Sequence, residues 1–138
     1  MAIDTSELLD RLSLATSIQE FITENQNEFM PISCFEYLNE LLRKKDVCVA
    51  DVARKSGQGE YVYKVFQGKR KPSRDILICI AIGMGLSIDE TQLLLRISQQ
   101  ARLDPRNRRD SIFLYSIREK YSFEKLNELL YELNEQTI

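Results

Sequence analysis

The chain contains no histidine and no tryptophan, and only five glycines, three prolines and three cysteines among 138 residues. Without histidine there is no Ser-His or Cys-His nucleophile pair, no imidazole metal ligand and no general base that titrates near neutrality. Five glycines and three prolines supply too little turn chemistry for a sandwich or barrel, which favours helices. Cys34, Cys48 and Cys79 are odd in number and lack C-x-x-C spacing, so neither a disulfide framework nor a zinc site is indicated and buried, reduced thiols are expected. No apolar run approaches the ~20 residues that cross a bilayer, and the first residues lack a basic-then-apolar leader pattern. A cytoplasmic protein without membrane contact is therefore expected. No G-x-G-x-x-G or Walker-type loop occurs, and no cofactor or metal is expected. Acids are plentiful, but no pair of them stands in an evidently apolar setting, so an enzyme is not expected.

What is present is ordinary in amount and uneven in placement. Hydrophobic residues make up 43% and charged residues 29%, as in a soluble globular domain of one compact unit. The net charge is -2. Residues 1–30 hold six acids and one base, and residues 119–138 five acids and two bases. Residues 31–118 hold sixteen bases and ten acids, a local balance of +6. A basic middle between acidic flanks suits either a polyanion or internal pairing with the flanks.

Capping spacing marks several helix starts: Asp4 with Glu7, Ser17 with Glu20, Ser33 with Glu36 and Ser87 with Glu90. Apolar residues at three- and four-residue steps follow, and the pattern predicts helices near 5–14, 17–28, 33–44, 48–56, 59–66, 74–84, 88–98, 110–119 and 123–134. The run ILICIAIGMG from Ile76 could be a buried strand, but Ser73 can cap it, Gly85 can end it and no second strand is available. The fold class expected is all-α: a compact bundle with N-terminal acidic helices (1–32), a central five-helix domain (33–98) and a C-terminal helical extension (99–138).

Within the middle, Val49, Val52 and Ala53 form one short apolar face, Ser56-Gly57-Gln58-Gly59 breaks it, and Val62, Val65 and Phe66 form another. Two short helices around a glycine-containing turn make a helix-turn-helix unit. Glu60, Tyr61, Lys64 and Gln67 are left mostly outward, with Tyr63 at the margin. Gly68 ends the second helix, and Lys69-Arg70-Lys71 emerge before Pro72 and the capping Ser73. Cations on a loop beside a helix N-terminus can clamp phosphate, and Arg74 belongs to that clamp unless Asp75 holds it. The remaining reading of the loop is a solvated turn. Arg102, Arg106, Arg108 and Arg109 alternate with Asp104 and Asp110 and read as an inter-helix loop with internal pairs, Arg108 or Arg109 pairing with Asp110 or with an acid of the first helices.

Residues 35–98 resemble the phage-repressor-like (XRE) helix-turn-helix domain, on the strength of Val52-Ala53, Ser56-Gly57, VFQGKRKPSRD and ILICIAIGMGLSIDETQLLL. The resemblance extends less specifically through Leu103–Asp110 and Leu126–Tyr131. It implies a five-helix DNA-binding domain, often dimeric, whose third helix enters the major groove of duplex DNA, and hence a transcription regulator. Two positions depart from the family pattern. Gly57 to Gly68 spans eleven steps rather than the usual twelve, and Gln58 stands where an aliphatic residue anchors the turn. The candidate base contacts are Gln58, Gly59, Glu60, Tyr61 and Lys64. The candidate phosphate contacts are Gln67, Lys69, Arg70, Lys71, Ser73 and Arg74. The departures, with a pI of about 5.3, keep a second reading open: a protein-interaction adaptor that retains the fold without strong DNA binding. A homodimer is expected, its interface on the terminal Leu126-Leu129-Leu130-Leu133 seam beside Tyr131, so that truncation after Lys120 would leave a folded monomer. No effector, whether small molecule or protein, is indicated.

Overall fold

The computed structural model describes residues 3–29 and 33–138, and every described element is helical: α1 (Thr5–Leu14), α2 (Ile18–Glu24), α3 (Cys34–Lys45), α4 (Val49–Lys55), α5 (Glu60–Phe66), α6 (Arg74–Met84), α7 (Ile88–Ile97), α8 (Arg108–Arg118) and α9 (Phe123–Glu132). Where the sequence suggests one compact unit, the contacts group the chain into two, Met1–Pro31 and Ile32–Ile138.

In the first unit, Asp4 and Ser17 cap α1 and α2 by accepting from the Glu7 and Glu20 N–H groups. The helix expected over 17–28 stops at Glu24, and a separate 3₁₀ turn covers Gln26–Glu28. Asn25 marks the break: its side-chain amide donates to Phe21 O, and its carbonyl oxygen accepts from Arg11. Among the described residues of this unit, Phe21 is the one buried apolar side chain. Leu9, Leu12, Ile18 and Ile22, which recur at helical spacing on α1 and α2, are exposed and close no core among the described residues of this unit.

The second unit has one hydrophobic core that draws on every helix from α3 to α9. The ambiguous isoleucine run is α6, and Leu77, Ile78, Cys79 and Ile80 are completely buried on successive positions around it. A helix so apolar can only be central. α4 crosses it closely, because Gly83 offers no Cβ: a methyl there would lie 2.9 Å from the Ser56 backbone nitrogen. α8 and α9 complete the same core through Phe113, Ile117, Leu126 and Leu130. The leucine seam expected to form a dimer interface is therefore interior, since Leu126 and Leu130 have no exposure, and only Leu133 and Tyr131 at its edge face solvent. The physical reason is local: the turn of the helix-turn-helix is covered by α9, whose Phe123 ring occupies the space beside Gly57.

Scarcity of glycine is visible at the helix ends. α3, α7, α8 and α9 each close with a left-handed residue that is not glycine, namely Asp46, Gln99, Lys120 and Asn134. At Gln99 the pattern is complete, with Gln99 N–H donating to Arg96 O and Gln100 N–H to Leu95 O. A left-handed backbone costs a residue with a Cβ about 1 kcal/mol relative to glycine. Replacing exposed Gln99 with glycine is therefore expected to raise the urea midpoint, corresponding to about 0.5–1 kcal/mol of added stability.

Candidate nucleic-acid interface

α4 and α5 are joined by Ser56–Gly59, and each residue of that turn has an identifiable task. Ser56 is fully buried against Gly83, and its hydroxyl donates to Ala53 O while accepting from Gln58 N–H. Gln58 is half-buried, and its amide donates to Ser56 O. Gln58 thus ties the turn to Ser56 through both its backbone and its side chain. Gly59 caps α5 with φ 59° and ψ -136°, and its N–H is already bound to Ala53 O. What Gly59 contributes is an open approach to the start of α5, with nothing within 4 Å of where a Cβ would be.

On α5, Val62, Val65 and Phe66 face the core, whereas Glu60, Tyr63, Lys64 and Gln67 are exposed. Tyr61 is half-buried and packs against the core, whereas Tyr63 is exposed, the reverse of the order expected of them. Tyr61 stands four residues before Val65, on the same helical face, and that spacing is the signal that identifies it.

α5 ends in a complete Schellman motif. Gly68 N–H donates to Val65 O and Lys69 N–H to Lys64 O, with Gly68 at φ 75°. This fixes the direction in which the basic loop leaves the helix. Asn39 of α3 adds a tie, donating from its amide to Phe66 O. Lys69, Arg70 and Lys71 are all exposed, and no ion pair involves them among the described residues. Lys64 is likewise exposed and unpaired on the same terms. Ser73 is exposed and caps α6, its Oγ accepting from Ile76 N–H, so its own hydroxyl proton remains available to an acceptor.

Arg74 does not belong to this set. Its guanidinium donates to both oxygens of Asp110 (2.9 and 2.8 Å), to Ala101 O (2.9 Å) and to Arg102 O (3.1 Å). Asp75 is in turn held by Arg109, through two bonds of 2.9 and 3.0 Å. The two Arg-Asp dipeptides, one opening α6 and one in the first turn of α8, are cross-linked to each other and not paired with their own neighbours. Adjacent side chains on a helix diverge by 100° and do not meet, which is why sequence neighbours are the wrong partners. Arg108 pairs with Glu135, while no ion pair involves Arg102 or Arg106 among the described residues. The cross-link secures the end of the basic loop to the C-terminal helices.

Asp110 is buried, and that burial alone would raise its pKa; the hydrogen bonds from Arg74, the Asp104 N–H and the charges of Arg74 and Arg109 prevail and hold it below the usual carboxylate range. A carboxyl with a depressed pKa stabilises the fold above its unfolded value of about 3.9 and loses that contribution as pH falls through the folded value. Asp110→Asn leaves Arg74 without its partner and is expected to cost about 2–3 kcal/mol at neutral pH. In urea titrations the difference between wild type and variant should shrink as the solution is taken below the ordinary carboxylate range.

The thiols follow their surroundings. Burial, reinforced by the Asp75 charge, pushes Cys79 up to about 12, although Gln58 and Arg109 oppose it. Cys34 is half-buried, and Cys48 is exposed at the start of α4 with its thiol donating to Asp51, so only Cys79 is the fully buried thiol expected of all three. Among the described residues no group of three or more His, Cys, Asp or Glu is placed to hold a metal ion, and no helix is long and apolar enough to cross a membrane. No protein-family model, curated protein or solved structure matches this chain.

Proposed function

We propose that the chain is a sequence-specific duplex-DNA-binding regulator that reads the major groove with α5 and grips the backbone with Lys69, Arg70 and Lys71. The observation that supports this most directly is the contrast among its cations. Arg74, Arg109 and Lys45 are committed to internal carboxylates, whereas the three loop cations and Lys64 project unpaired from one helix and the loop that leaves it. Such cations bind polyphosphate with little internal cost, because no native ion pair has to break. The exposed face of α5 offers a phenol at Tyr63, an amide at Gln67, an ammonium at Lys64 and a carboxylate at Glu60, the donor and acceptor types that distinguish base pairs in the major groove. Gln67 and Ser73 flank the loop and extend the phosphate grip. A short α5 opened by a glycine brings its first turn close to base edges without a side chain intervening.

Selection of genomic DNA fragments with the full chain tests the proposal. An enriched motif, bound with an affinity that falls steeply with salt, is the expected result. Recovery of no motif and no salt-dependent binding would favour the adaptor reading, which the acidic pI of about 5.3 motivates. We further propose a two-fold dimer, since one small module reads few base pairs; its interface has to lie away from Leu126 and Leu130. Light scattering of the full chain at tens of micromolar should report twice the 16.1 kDa monomer mass.

A further inference from the structure

Beside the basic loop lies a concave pocket of about 460 Å³, within the roughly 300–1,000 Å³ typical of small-molecule sites. Its apolar lining comes from Phe35 on α3, Val65 on α5 and Ile97 at the end of α7, and its cationic lining is Lys69, Arg70 and Lys71. No aspartate or glutamate lines it among the described residues. Burial pushes the Cys34 thiol up, so the thiol adds no negative charge near neutrality. Phe35 is 39% exposed, and its ring lines the pocket beside the three cations. The same ring packs on Gly68, where a Cβ would stand 3.0 Å from it, so an occupant resting on Phe35 also touches the hinge of the loop.

An apolar lining with three cations and no anion is complementary to one ligand chemistry: a negatively charged head on a short hydrocarbon body. We propose that this pocket binds a small amphiphilic anion, with its head on Lys69–Lys71 and its body on Phe35, Val65 and Ile97. The site stands independently of the DNA reading, because it rests on the cavity and its lining. If both hold, ligand and DNA phosphates compete for the same cations, and the pocket becomes an effector site.

Calorimetric titration of the full chain with octyl phosphate, kept below its micelle concentration and without DNA, tests the site. One saturable site is expected, with affinity falling about two- to fourfold per methylene removed toward butyl phosphate. Octyl glucoside, which has the chain without the charge, should not bind over the same range, and inorganic phosphate should bind far more weakly. The variant Lys69→Gln/Arg70→Gln/Lys71→Gln, altered only on exposed positions, should lose about tenfold or more. Amide chemical-shift changes should centre on Phe35, Val65, Gly68 and Ile97. Absence of saturable binding, equal binding of octyl glucoside, unchanged affinity of the triple variant, or shift changes elsewhere would each overturn the assignment. A failed DNA titration would leave it untouched.

Discussion

Removing the residues after Lys120 should unfold the second unit, not release it as a monomer. The truncation strips α9 from a core in which Leu126 and Leu130 have no exposure, and it uncovers the helix-turn-helix turn at Gly57, against which Phe123 packs. Losing one fully buried leucine to alanine costs about 2–5 kcal/mol, and a domain of this size has about 5–15 kcal/mol in all. Loss of two such side chains with Phe123 consumes most or all of that. Circular dichroism and thermal melts should show the truncated chain without a cooperative transition at 25 °C. Leu126→Ala alone should melt cooperatively but lower, and Tyr131→Ala, on the solvent side of the same helix, should melt like wild type. If the truncated chain melted cooperatively near the wild-type temperature, α9 would be dispensable to the core.

Neutralising Lys69, Arg70 and Lys71 together should reduce DNA affinity about a hundredfold or more near 0.1 M salt, nearly equally for specific and random duplexes. Each phosphate contact contributes about 0.9 to the slope of log affinity against log salt, so the triple variant should flatten that slope by about two to three. Fluorescence anisotropy at several salt concentrations measures both quantities. Lys64→Ala and Tyr63→Ala should behave differently, altering preference among sequences by about 1–3 kcal/mol per affected base pair. Arg74→Gln serves as the contrasting case. It should lower stability through the loss of its Asp110 bonds while leaving the salt slope of the folded protein unchanged. An unaltered slope in the triple variant would remove the loop from the interface.

The helices could be read from the sequence because their ends are written in it. Asp4, Ser17, Ser33, Ser73 and Ser87 each cap the helix that follows, and Ser87 with Glu90 forms the full reciprocal box. Side-chain direction on the seven-residue α5 was half legible. Val62, Val65 and Phe66 mark its inner face, and the same four-residue step assigns Tyr61 to that face and Tyr63 to the other. The basic loop was legible as a charge cluster next to a glycine. The role of Arg74 was not, because its partner Asp110 lies 36 residues away and only packing of α8 on α6 brings them together. The destination of the α9 leucines was equally hidden: an amphipathic stripe looks the same whether it faces its own core or another copy. Gln58 reads as a departure from the family pattern, and its half-buried side chain bonds the turn locally at Ser56 O.

The cover that α9 places over Gly57 also orders events in time. Residues from α3 through α8 can emerge during synthesis and form helices locally, yet the side chains that close their core arrive only with Leu126 and Leu130. Until then the turn between α4 and α5 has no roof, and the isoleucines of α6 lack part of their shell. A growing chain therefore displays its cations well before it has a rigid surface to aim them, and that surface is complete only with the delivery of α9. Slow translation across 121–132 would prolong an aggregation-prone interval in which apolar α6 has no complete shelter.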